Sequence, residues 1–127
     1  MKKTIITCCL IITSFYAGKT FAQETFKWAE MGSFHATAMS SFHSAEMNKL
    51  QPARDSAASI LKKAEQWQNS AIPSNYDATA LKPLLQNLSD QCKAINDAVA
   101  EKKPDAVLKP LVLKAHNTFH AILSKTR

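Results

Sequence analysis

From Glu24 onward the chain holds a single glycine, Gly32, and its apolar residues recur in alternating steps of three and four. That spacing keeps side chains on one side of an α-helix and does not fit the two-residue alternation of a strand. An all-α fold follows, with prolines marking its breaks. Trp28, Met31, His35, Ala38, Phe42 and Ala45 define a first helix, running from about Glu24 to the low forties or as far as Leu50. Pro52 opens a second, carrying Ala57, Ile60, Leu61, Ala64 and Trp67. Asn69 to Asp77, with Pro73, reads as a loop. A third helix begins between Ala78 and Pro83 and carries Leu81, Leu84 or Leu85, Leu88, Cys92, Ile95 and Val99. After the turn at Lys102-Lys103-Pro104-Asp105, a fourth carries Leu108, Leu111, Ala115, Phe119 and Ile122; Pro110 should mark its true start or bend it. Four helices with short connections and one apolar stripe each predict an antiparallel, up-down-up-down four-helix bundle. The alternative is a three-helix bundle whose first helix is exchanged onto a partner chain.

The start of the chain belongs to a different kind of segment. Met1-Lys2-Lys3 is basic, Thr4 to Tyr16 carries no charge, and Thr20-Phe21-Ala22 places small residues where a signal peptidase reads. Residues 1–22 are therefore expected to be a signal peptide cleaved after Ala22, with residues 23–127 forming one bundle domain. A periplasmic or secreted location follows. Cys8 and Cys9 come too early for lipid attachment, and Thr7 precedes them. Of the net charge of +6, three charges come from Lys2, Lys3 and Lys19. What remains is spread among acids and leaves no footprint for nucleic acid. Only Cys92 remains beyond the leader, so no internal disulfide is available.

All four histidines fall on the first and last helices: His35 and His43 on one, His116 and His120 on the other. Met31, His35, Met39, His43 and Met47 recur every four residues, with Glu46 close by. Two imidazoles one turn apart can grip one ion, and a ligand from the facing helix would complete a transition-metal site. Imidazole suits zinc, copper, nickel and iron, and added Met sulfur leans toward copper(I). The candidate metal ligands are His35, His43, His116, His120, Met39 and Glu46. Pairing the first and last helices by their expected ends sets His35 level with His116 and Met31 level with His120. In that register His43 lies about two turns away, on the order of 10 Å, so either the end of helix one folds back after Phe42 or there are two sites. His35 is expected at the centre of the apolar face of helix one, and His116 and His120 beside the seam of helix four. Cys92 reads as an inert buried thiol.

Enzyme chemistry finds little support. There is no Gly-rich phosphate loop, no His-Glu-x-x-His and no paired Glu-x-x-His carboxylate set of the kind that holds two irons. A non-enzymatic binding protein, monomeric or homodimeric, is the expectation.

Ala115-His116-Asn117-Thr118-Phe119-His120, running to a basic end at Arg127, resembles the final helix of cytochrome c-prime and its haem-b four-helix relatives. The resemblance implies a four-helix bundle in which the aromatic-His pair, here Phe119-His120, supplies an axial iron ligand. In the haem-b relatives a Met early in helix one supplies the other, and Met31 is the matching residue. The covalent Cys-x-x-Cys-His attachment is missing, His116 standing where a Cys would be, so the implied cofactor is a non-covalent haem b. Phe42-His43-Ser44-Ala45-Glu46, Leu50-Gln51-Pro52, Trp67, Ile72-Pro73 and the His-x-x-x-Phe-His ending also resemble small exported helical proteins of Bacteroidetes-type bacteria. That likeness implies no particular activity, but it suggests that the two histidine sets work together.

Three functions follow as expectations. The first is transition-metal binding for storage, sequestration or sensing, with zinc, copper or nickel as the ion. The second is a haem-b electron carrier with Met31 and His120 as axial ligands. The third is an envelope interaction module exposing Trp28, Phe34 and Trp67 along an apolar groove.

Overall fold

The computed structural model describes residues 26–127. The signal peptide expected over residues 1–22 lies outside the described residues. The described residues form four helices: α1 (Ala29–Glu46), α2 (Gln51–Gln68), α3 (Ala78–Ala100) and α4 (Asp105–Ser124). No strand occurs among the described residues. Each helix packs on the next in chain order, and α1 also packs on α4 of its own chain. None of these helices is long and apolar enough to cross a membrane.

The helix ends follow from local chemistry. Asn48 adopts a left-handed φ of 61°, which Asn tolerates better than most residues. The Lys49 amide then bonds the Ser44 carbonyl at 2.9 Å, closing α1 with a Schellman-type reversal. Lys102, with φ 54°, does the same after α3, where the Lys103 amide bonds the Ala98 carbonyl at 2.9 Å. At the head of α3 the Asp77 carboxylate accepts from the Thr79 amide at 3.0 Å and the Ala80 amide at 3.3 Å. This satisfies helix donors that otherwise have no partner inside the helix.

Pro110 does not mark the start of α4; the helix runs through it, as α3 runs through Pro83. Each proline withholds one amide, from the carbonyl four residues earlier. Those carbonyls belong to Ala106 and Thr79, both exposed, so water can take the missing bond.

The core is built around aromatic rings. Phe34 stacks on Phe119 at 5.8 Å between centroids and tilts against Trp67 at 5.5 Å, while Trp67 meets Trp28 edge-on at 5.6 Å. Phe34 and Trp67 are completely buried and Trp28 nearly so. The exposed aromatic surface expected of an interaction module is therefore not made by these three residues. Burying a ring such as Phe34 stabilises the fold by roughly 1.5–3 kcal/mol. The Trp67 Nε1 group finds no acceptor in this core. Leaving it unpaired costs about 1–3 kcal/mol, which the packing of the ring has to offset.

Polar contacts set how the helices sit along one another. Ser41 on α1 donates to the Pro52 carbonyl at 3.2 Å near the start of α2. Arg54 of α2 reaches Asp105 at the head of α4, at 2.7 Å. Met31 near the start of α1 accepts from the Thr126 hydroxyl just past α4, at 3.8 Å, and Lys109 near the start of α4 donates to Asn48 just past α1.

Candidate metal centre

The register of α1 on α4 differs from the sequence expectation by about two turns. His35 is not level with His116. The imidazole facing His116 is that of His43, with ring centroids 5.0 Å apart. Phe42 packs on His116 as well, at 5.7 Å. The period of a helix leaves the axial offset free; here Met31 is tied to Thr126 at one end, Asn48 to Lys109 at the other, and Phe42 seats on His116 between them.

His116 is the centre of the group. It is buried, at 4% exposure, within the seam of α4 rather than beside it. Its Nδ1 lies 2.9 Å from Oε1 of Glu46 on α1. Its Nε2 lies 3.0 Å from Nε2 of His120, one turn along α4. Their ring centroids are 4.6 Å apart. The carboxylate assigns the hydrogen of His116 to Nδ1, because a carboxylate only accepts. That leaves the Nε2 lone pair of His116 turned toward His120, which donates its own Nε2–H when no cation lies between them. Burial lowers the pKa of His116, and so does its neighbour His120; Glu46 pulls the other way, and His43 lowers it further. The neutral, metal-ready form of the buried ring is thus favoured.

The spacing of the two nitrogens has a chemical meaning. Two nitrogens bonded to one ion at about 2.0–2.1 Å stand about 3.3 Å apart at a tetrahedral angle and about 2.9 Å apart at the 90° of a square-planar ion, so a few tenths of an ångström of adjustment suits either. Donation of Nδ1–H from a ligating imidazole to a carboxylate is the usual outer support of such a ligand. As they stand, however, no three His, Cys, Asp or Glu side chains among the described residues are arranged to hold an ion together. Two nitrogens converge, the Glu46 carboxylate is engaged by His116, and the His43 ring meets His116 at an interplanar angle of 64°. His43, Glu46 and His120 are exposed and have room to turn, whereas His116 does not.

The remaining candidates sit elsewhere. His35 is half-buried between Phe26, at 4.8 Å, and Phe119, at 5.8 Å, and Phe34 takes the centre of the apolar face expected for it. Met39 is buried as part of the core. Met31 lies against Thr126, six residues beyond His120 in the chain, instead of level with it. The four-residue ladder explains this spread. Each step of four overshoots one turn by about 40°. The stripe therefore winds off the core, from buried Met31 to exposed His43 and to Met47, which is 62% exposed. Phe42 and Ala45 are the residues that sequence reasoning left in the core without noting their part in the site: they seat the last turn of α1 so that His43 and Glu46 face α4.

No known protein family, curated protein or solved structure matches this chain.

Proposed function

We propose that this is an exported, non-enzymatic four-helix protein that binds a transition-metal ion for storage, sequestration or sensing. His116 and His120 are the primary ligands, His43 turns in as the third, and Glu46 orients His116. The single observation carrying this reading is the 3.0 Å approach of the two Nε2 atoms, with Glu46 held on the far nitrogen of His116. An imidazole-rich donor set favours zinc, copper(II) or nickel. With Met39 buried in the core and Met47 exposed at the helix end, thioether sulfur adds no clear preference for copper(I). The bundle is read as antiparallel and up-down-up-down, a topology supported by the contacts of Met31 with Thr126 and of Asn48 with Lys109. The resemblance of its last helix to cytochrome c-prime is read as one of bundle architecture alone. A bare ion is preferred to haem b, because the Met31 sulfur contacts Thr126 while His120 contacts His116.

The test is thermal unfolding with and without zinc, copper(II) and nickel. An ion that binds only the folded chain raises the Tm, with about 2.7 kcal/mol of stabilisation at one hundred times Kd. The double substitution His116→Ala, His120→Ala should abolish the shift. If none of the three ions moves the Tm of the parent protein, or the double variant responds as the parent does, the reading fails.

A further inference from the structure

A cavity of about 600 Å³ opens where the start of α1, the loop before α3 and the end of α4 come together. None of the clustered histidines lines it, so it stands independently of the metal reading. Its apolar lining comes from Phe26, Met31, Tyr76 and Leu123. Lys27, Lys125 and Arg127 also line it, and none of these three cations forms an ion pair among the described residues. The one acid in the lining, Asp77, is already engaged in capping α3.

The walls are held in place. Trp28 lies behind them, buried, stacking on Tyr76 at 6.0 Å and donating from Nε1 to Ser70 at 3.1 Å. The loop carrying Tyr76 is thereby fixed to the start of α1. Met31 is tied to the end of α4 through Thr126. The Tyr76 hydroxyl makes no hydrogen bond among the described residues, although the ring is half-buried. The cavity has the size of a small-molecule site and a mixed lining, with an apolar and aromatic wall beside polar and cationic groups.

We propose that this cavity binds a small aromatic carboxylate. The flat body lies against Phe26 and Tyr76, with Met31 and Leu123 beneath it, and the sulfur of Met31 suits contact with an aromatic edge. The carboxylate is met by the Arg127 guanidinium, whose fork matches a carboxylate in two hydrogen bonds, and by the Lys125 ammonium. Lys27, in the segment that leads into α1, adds attraction from the other side.

The experiment is calorimetric titration of the purified protein with 2-naphthoate in the presence of a chelator, which separates this site from the metal reading. One saturable site is expected. The neutral 2-naphthalenemethanol should bind about tenfold more weakly, and the double variant Lys125→Glu, Arg127→Glu should lose about tenfold in affinity. Both substituted residues are exposed at the chain end, so circular dichroism of the variant should match the parent. Tyr76→Ala, which removes the aromatic wall, should also weaken binding, and quenching of Trp28 by the ligand should disappear with it. Absence of saturation up to about 1 mM, equal binding of the charge-reversed variant, or tighter binding of decanoate than of 2-naphthoate would each overturn the proposal.

Discussion

His116 and Glu46 are joined at 2.9 Å across two helices, a buried imidazole on α4 held by an exposed carboxylate on α1. The contact fixes which nitrogen of His116 carries hydrogen and which is turned toward His120 at 3.0 Å. It also ties the last turn of α1 to the middle of α4, next to Phe42.

The first prediction concerns that contact. Replacing the carboxylate that orients a ligating histidine typically costs 10–100-fold in metal affinity. Glu46→Ala should therefore weaken zinc binding by about one to two orders of magnitude, measured by competition with a chromophoric chelator. Glu46→Gln keeps an acceptor for Nδ1–H and should recover part of the loss. A variant series in which alanine binds as tightly as the parent would remove Glu46 from the site.

The second prediction is pH dependence. Burial and the neighbouring His120 hold the pKa of His116 below its ordinary 6.5 in the folded chain. The unfolded chain takes up the proton near 6.5, while the folded chain resists it. Stability due to this residue is thus full above about 6.5 and falls as pH drops below it, until the folded pKa is reached. Urea midpoints compared at neutral and mildly acid pH should show that loss in the parent and a smaller one in His116→Gln. An equal loss in both proteins would assign the effect to other groups.

The third concerns Cys92. Its side chain is fully buried on α3, and burial pushes its thiol up to about 12. Thiolate, the reactive form, is then about one part in ten thousand at pH 8. An aromatic disulfide reagent should label the native protein only as fast as it opens, and label it at once in denaturant. Labelling of the native protein within seconds would mean that α3 opens locally or packs differently.

Much of the architecture was legible in the chain. Pro52, Pro73 and Pro104 mark the breaks, and the three-and-four spacing of Leu81, Leu88, Cys92 and Ile95 gives the buried face of α3. Which histidines belong together was only partly legible. His116 and His120 had to share a face, because residues one turn apart always do. Their partner was misplaced: the expected ends of the helices pointed to His35, and the folded chain presents His43.

The sequence by itself determined that the chain is helical, where it turns, and that its imidazoles come from the first and last helices, since these depend on spacing within one segment. Tertiary structure alone decided the sliding of α1 along α4, the burial of His116, and the pairing of His116 with Glu46. Periodicity fixes the face a helix presents but carries no information about its position along a neighbour. That position is set when side chains such as Phe42 and His116 interlock, and residues far apart in the chain meet only then.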